Sequence, residues 1–393
     1  MDISDIWKKI HSFLSPQNLI IMLAASAFAP VPFTAILVVT TVVLILAEPE
    51  YQKGLFYFKG SLLIPAFCCY ALIVALFNRN IYGFILAPVF FVIFTIFCFV
   101  RKFITSKTFE TCLSAVCLMV IPATLYAFIE MFTNKEEGKL VYRCTSYFLN
   151  ANYFGALMAA AVIICAYKIV SSKGKAFIYY PIALLAVLDI YLSASLFAIV
   201  EVVVGIAFYL LLSKHYRLFC LMVVVGSVGI ILITSLPELL PRLYEASGTT
   251  GYRVRIWGVA IREIMHKPLF GRGFLGYDGV RMQYSGSYET VHCHNLVIDS
   301  LLNFGIVGSA LLFMMLYYIM IRFVKCFKRD SGSTVLIMIA SIMLAAVSHM
   351  FTDITFFWIQ TGLFYAIILG GTGIEERRLN IKNNFLIHGK YRI

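Results

Sequence analysis

Charge is what this chain has least of: 13% of its 393 residues are Asp, Glu, Lys or Arg, against 61% hydrophobic. A soluble domain of that length needs about twice as much charge to cover its surface, so most of the chain must face lipid or other apolar helices. The alternating apolar and polar rhythm of barrel strands is missing too. The apolar runs are about 16 to 25 residues long, which fits membrane-crossing helices, whose backbone hydrogen bonds are satisfied internally. No disulfide framework is present. Of ten cysteines, Cys68, Cys69, Cys98, Cys112, Cys117, Cys165 and Cys220 fall inside apolar runs and read as small hydrophobes. Cys144 and Cys293 lie in outer polar segments, where free thiols are expected over a bridge. No internal repeat, low-complexity tract, soluble domain or cleavable signal peptide is evident. The net charge of +12 is not a nucleic-acid signal, because no basic stripe sits on a soluble domain.

The expected fold is an all-α integral membrane protein with about 12 transmembrane helices and one large outer-face loop. The spans are expected near 15–30, 32–47, 61–77, 81–100, 109–131, 153–170, 177–192, 195–212, 218–236, 294–321, 333–351 and 354–372. Pro30 and Pro32 interrupt the first apolar stretch, as a hairpin or a kink. Residues 1–236 then hold nine spans, 237–293 the outer loop, 294–373 three spans, and 374–393 a basic cytoplasmic tail. With both ends inside, 21 of the 32 basic residues face the cytoplasm. Seven more fall in the long loop, which translocates largely regardless of charge.

That loop carries the chemistry. It holds Arg242, Arg253, Arg255, Arg262, Lys267, Arg272 and Arg281. From Tyr252 to His266 the pattern is helical, with Ile256, Val259, Ala260 and Ile264 at helical spacings and Arg255 and Arg262 on another face. Gly251 precedes this stretch and Pro268 follows it. An amphipathic helix at the outer membrane surface is expected, with Trp257 at the interface. Its arginines either solvate the helix and touch lipid phosphates, or hold a phosphate or pyrophosphate through their planar forks. PLFGRGFLGY at 268–277 adds Gly271, Gly273 and Gly276, which permit tight turns and close approach to a ligand. No strand precedes it, so it is not a dinucleotide fingerprint.

VHCHN at 291–295 stands directly before an apolar run. His292 and His294 have no third ligand at zinc-like spacing, so no metal site is expected. Histidine suits a general base because its ordinary pKa lies near operating pH; the plainer reading is a ring buried against a tyrosine or the backbone. Before the middle span, Arg143, Asn150 and Asn152 either line the same cavity or cap the helix. Glu130, Asp189, Glu201, Asp299 and Asp353 lie in or at spans, where carboxylates are costly and default to functional hypotheses. Asp353, at an outer end, is placed to pair with an external arginine.

YRVRIWGVAIREIMHKPLFGRGFLGY, followed by VHCHNLVIDSLLNFGIVG and preceded by RCTSYFLNANYFGALMA, resembles the O-antigen ligase and polymerase family of cell-surface polysaccharide assembly. The motifs cover about 143–310 and the topology covers the whole chain. The resemblance implies a fold like that of C-type membrane glycosyltransferases and a multi-pass location in the bacterial cytoplasmic (inner) membrane. It implies transfer of glycan from an undecaprenyl-pyrophosphate carrier to a sugar acceptor on the outer face. Implied partners are that lipid-linked glycan, membrane lipids, a chain-length regulator and a flippase, with no cofactor and no metal. The family's loop arginine, four residues before an aromatic, matches Arg253 before Trp257, and its histidine of the His-Asn pair matches His294 before Asn295. A further family arginine at the start of a middle span is replaced here by Leu196 in YLSASLFAIV, with Arg143 or Arg255 as substitutes. The implied site is therefore catalytic His294 and Arg253, with Arg255, Arg143, Asn150, Asn152, His292, Asn295, Arg272 and Asp353 binding substrate.

A polymerase of repeat units is the leading reading and a ligase of finished chains the first rival. A transporter, flippase or anion carrier, is the rival of another class. Transporters often carry repeats and midplane charges, whereas this chain gathers its polar residues in one outer loop.

Overall fold

The computed structural model describes residues 13–133, 142–171, 176–236, 242–285 and 287–381. Helices are the only regular structure among them. They are α1 (Pro16–Ser26), α2 (Val31–Ala47), α3 (Pro49–Gln52), α4 (Leu63–Phe77), α5 (Ile81–Phe103), α6 (Ser106–Thr133), α7 (Ala151–Ser171), α8 (Tyr179–Ser193), α9 (Leu196–Leu212), α10 (Tyr216–Ser235), α11 (Arg242–His266), α12 (Gly276–Arg281), α13 (Leu296–Arg329), α14 (Thr334–Met350), α15 (Ile359–Gly370) and α16 (Thr372–Arg378).

Each of the twelve apolar segments expected from the sequence contains a helix, and Pro30 separates α1 from α2 as two elements. Five stretches are long and apolar enough to cross a membrane by themselves: α5, α6, α7, Ala176–Ser193 and α13. Shorter apolar helices accompany them, among them α2, α4, α9 and α14. At 1.5 Å per residue the 11-residue α1 and 12-residue α15 reach only about 17–18 Å, well short of a hydrocarbon core. The molecule is thus a multi-pass helical membrane protein, in which five stretches among the described residues reach a full span unaided.

α7 lies at the centre, packed on α8, α9 and α14. Phe154 to Ala161 are all buried, and the small residues Gly155, Ala156, Ala159, Ala160 and Ala161 let neighbouring backbones approach. A Cβ on Gly155 would meet the Ala198 side chain at 2.8 Å and Ser193 Oγ at 2.9 Å, so α7 presses directly on the corner between α8 and α9.

α13 is broken at Gly305, whose φ of 61° and ψ of −169° leave the helical region. The break frees backbone groups, and the glycine-rich segment answers them. Arg272 N donates to Leu302 O at 2.9 Å and Gly273 N to Asn303 O at 2.6 Å, while Ile306 N donates to Pro268 O at 2.8 Å and Val307 N to Leu269 O at 3.1 Å. Asn80 adds hydrogen bonds to the carbonyls of Arg272 and Phe274. A Cβ on Gly271 would lie 2.6 Å from the Asn303 carbonyl, and one on Gly305 would lie 2.3 Å from Leu269 O. These glycines bring backbone against backbone; the expected close approach is to α13 rather than to a ligand.

α11 begins at Arg242, ten residues before the expected start at Tyr252. Gly251 is absorbed inside it, at a propensity cost of about 1 kcal/mol. Ile256, Val259 and Ala260 are buried with Tyr277, Cys293 and Leu302, as the period implied. Trp257 is turned inward, its indole N–H donating to Cys293 O at 2.9 Å. Cys144 and Cys293 are buried free thiols. The start of the loop at 237–241 and the tail beyond residue 381 lie outside the described residues.

At the C-terminus of α5, α16 is fastened by charge. Arg101 and Arg322 both pair with the mostly buried Glu376. Burial alone would raise the Glu376 carboxyl; the hydrogen bond from Arg322 and the charge of Arg101 outweigh it and hold the group below its ordinary value. Arg377 donates to the carbonyls of Arg101, Lys102 and Ile104, closing the C-terminus of α5. Glu376→Gln is therefore expected to lower the thermal midpoint of the detergent-purified protein, because two mostly buried guanidiniums lose their counter-ion at a cost of about 3–5 kcal/mol. A midpoint equal to wild type would show the network to be superficial.

Candidate functional site

The site is built on two connecting segments, 291–295 before α13 and 351–358 between α14 and α15. The first is pinned from three sides. Trp257 holds the Cys293 carbonyl, Asp299 Oδ1 accepts the Cys293 N–H at 2.9 Å, and Asn295 caps α13 by accepting from the N–H groups of Val297 and Ile298. Asn295 Nδ2 also donates to Phe351 O at 3.1 Å, tying the two segments together. His294 sits at φ 50°, left-handed backbone that a non-glycine residue adopts only when its surroundings impose it.

These restraints deliver two imidazoles to Asp353. His294 Nδ1 lies 3.3 Å from Asp353 Oδ1 and His292 Nε2 lies 3.5 Å from the same oxygen. The Ile354 N–H donates to that oxygen at 2.7 Å, and Asn152 Nδ2 donates to Oδ2 at 2.5 Å. A carboxylate only accepts, so the network assigns the proton of neutral His294 to Nδ1 and leaves a lone pair on Nε2. Thr290 Oγ1 stands 3.2 Å from that Nε2. Asp353 is 1% exposed. Burial alone would raise its carboxyl; the hydrogen bond from His294 outweighs it and holds the group well below the usual carboxylate range. Burial pushes His292 down to about 4, so it stays neutral at physiological pH.

Asn152 joins this cluster to an arginine. Its Oδ1 accepts from Arg143 Nη2 at 2.7 Å while its Nδ2 donates to Asp353. Arg143 Nε donates to Ser193 O at 3.2 Å, at the end of α8. Asp353 is therefore served by two histidines and Asn152; the arginine expected to pair with it stands one residue removed. Arg253 of α11 reaches the same α8–α9 corner. Its guanidinium carbon lies 4.9 Å from the centroid of the Phe197 ring, next to Leu196. Arg143 and Arg253 thus converge where α9 begins, a helix end whose free N–H groups and dipole favour anions. Ser195 Oγ is buried there without a hydrogen-bond partner among the described residues.

Other expected site residues are engaged elsewhere. Asn150 Oδ1 accepts the Asn152 N–H at 2.8 Å, a helix-start contact, and Asn295 caps α13. Arg272 pairs with the buried Glu263, which also accepts from Tyr284 at 2.8 Å, so it locks the glycine-rich segment to α11. Arg255 is exposed on α11. Among the carboxylates, Glu130 accepts from the N–H groups of Thr145 and Ser146, bracing the segment that carries Arg143. Glu201 pairs with His349 at 2.8 Å below Phe197. Sequence reasoning missed Thr290, Phe197 and His349; a lone Thr, Phe or His in such context carries no signal of its own.

The donor set of His292, His294 and Asp353 deserves the metal question, since one ligand atom from each lies within 4.8 Å of the others. The third ligand absent from the local spacing is supplied from another helix hairpin. His292 Nδ1 accepts the His294 N–H at 3.2 Å, which places the proton of the neutral His292 ring on the Nε2 that faces Asp353.

A search of curated proteins returned no match. The model of the O-antigen ligase family matches residues 181–313, a stretch that holds Arg253 and His294 and leaves Arg143, Asn152 and Asp353 outside. This chain is a multi-pass membrane protein whose residues 181–313 match the O-antigen ligase family model.

Proposed function

We propose that the protein is a polysaccharide repeat-unit polymerase, a metal-independent inverting glycosyltransferase. It moves glycan from an undecaprenyl-pyrophosphate donor to a sugar hydroxyl on the outer face of the bacterial cytoplasmic membrane. About twelve crossings, both ends cytoplasmic and an architecture like that of C-type membrane glycosyltransferases belong to this reading. The observation that carries it is the single hydrogen-bonded chain Arg143–Asn152–Asp353–His294, which links a cation at the α9 end to a histidine whose Nε2 bears a lone pair and faces Thr290.

In this mechanism Arg253 and Arg143 hold the pyrophosphate, Arg143 taking the part left empty at Leu196. Charge grows on the leaving pyrophosphate in the transition state, so fixed guanidiniums stabilise that state more than the bound donor. His294 Nε2 takes the proton of the acceptor hydroxyl as its oxygen forms the new glycosidic bond. The bond from the anomeric carbon to the pyrophosphate breaks, and its electron pair leaves with the phosphate. Asp353 orients His294 and stabilises the imidazolium that results. His292 fills the second face of Asp353.

The family description favours a second reading, a ligase that hands a finished chain to a lipid or wall acceptor. Glycan length separates the two in a deletion strain complemented with wild type or Arg253→Ala. Single repeats after deletion, with a ladder restored by wild type alone, is the expected result. Long polymer stranded on the carrier would make the protein a ligase, and unchanged glycans would remove the glycosyl-transfer reading.

A further inference from the structure

Two exposed aromatic rings, carried by the segments that also carry Arg253 and Thr290, have no part in the chemistry described above. Tyr252 of α11 and Tyr288 of the following loop stack with centroids 4.5 Å apart and planes at 23°. They are 43% and 41% exposed, and neither phenol is hydrogen-bonded among the described residues. Their position is held by the fold. Tyr252 precedes Arg253, whose guanidinium is seated on Phe197. Tyr288 offers its carbonyl to the buried Tyr277 hydroxyl at 3.4 Å and lies two residues before Thr290, which stands beside His294 Nε2. In the chain, the pair thus adjoins both Arg253, proposed to hold the leaving group, and Thr290, the neighbour of the His294 Nε2 proposed to take the acceptor proton.

We infer that the stacked pair Tyr252–Tyr288 is the subsite for the sugar ring of the acceptor glycan. The inference rests on the glycosyl-transfer reading above. A sugar presents a face of C–H bonds with a slight positive charge, which suits the negative face of an aromatic ring, and its hydroxyls can hydrogen-bond to the two exposed phenols. The pair is uncharged, as a neutral sugar requires, while the charge needed by pyrophosphate is gathered on Arg253 and Arg143. Two rings fixed in one stack also lose little conformational entropy when a ligand arrives.

The test uses the full-length protein in proteoliposomes. The donor is the lipid-linked repeat unit extracted from a strain lacking the protein. The acceptor is free repeat-unit oligosaccharide released from that lipid by mild acid. Tyr288→Ala and Tyr252→Ala are expected to raise KM for the oligosaccharide about tenfold with kcat within about twofold. Tyr288→Phe should keep most of the affinity, and Tyr288→Leu should not. Unchanged KM in both alanine variants, or a leucine variant equal to wild type, would overturn the subsite and make the pair an interfacial anchor. If wild type itself transfers nothing, the glycosyl-transfer reading falls and the subsite with it.

Discussion

His294→Ala is expected to lower the initial rate of glycan transfer by about 10²- to 10⁴-fold, the usual contribution of a positioned general base. Protein abundance and thermal midpoint should stay near wild type, because the ring side chain is 24% exposed and its backbone is held by neighbours. Those neighbours are Trp257, Asp299 and the Asn295 cap, none of which uses the imidazole. The effect should fall on kcat more than on KM, since the proton moves as the acceptor attacks and the interaction grows in the transition state. Initial-rate kinetics on the proteoliposome system measure this directly. A variant within threefold of wild type would remove His294 from the reaction.

Asp353→Asn is expected to cost about 10²- to 10⁴-fold in kcat for a different reason. The carboxylate accepts from His294 Nδ1, His292 Nε2, the Ile354 N–H and Asn152 Nδ2. An amide of the same shape offers one acceptor oxygen and turns the other atom into a donor. If the amide nitrogen faces His294, the imidazole must accept at Nδ1, and Nε2 then carries the proton and cannot act as a base. The anion that would stabilise the imidazolium is lost in either orientation. Asp353→Ala is less informative, because it leaves four buried donors unpaired and threatens folding. Asn152→Ala should show a smaller loss that includes a weaker donor KM, since Arg143 is released from its anchor. A Asp353→Asn enzyme with wild-type kcat would show that the buried carboxylate serves structure alone.

The helical segmentation was legible because lipid-facing helices write their length directly into apolar runs, and α2, α4, α7, α9 and α14 fall within a few residues of the expected limits. The face of α11 was equally legible, since Ile256, Val259 and Ala260 share one side at a period near 3.6. The length of α15 was not legible, because its apolar run continues past a helix of only twelve residues. The break in α13 was hidden as well. Gly305 lies inside the stretch read as one span, two residues after Asn303, and only the facing segment at 268–273 explains how its freed backbone groups are met.

The site divides in the same way. Arg253 and His294 came from local motifs. The joining of His294 to Asp353 spans 59 residues and that of Asn152 to Asp353 spans 201, so no spacing in the sequence announces either. Asn150 and Asn295 show the reverse case. Their residue type and position suit both binding and helix capping, and hydrogen bonds to their own helix starts distinguish the two. Arg143 and Arg255 were interchangeable candidates for the part missing at Leu196. The contact of Arg143 with Ser193 O at the α8 terminus, against the exposed position of Arg255, separates them.

The most direct test of the account is acceptor-dependent release of polyprenyl pyrophosphate by the purified full-length protein in proteoliposomes supplied with lipid-linked repeat units. The account predicts release in step with growth of the glycan in wild type, and loss of both in His294→Ala and Arg253→Ala at equal protein. Movement of the lipid-linked glycan across the bilayer with no release of pyrophosphate would contradict it and identify the protein as a transporter.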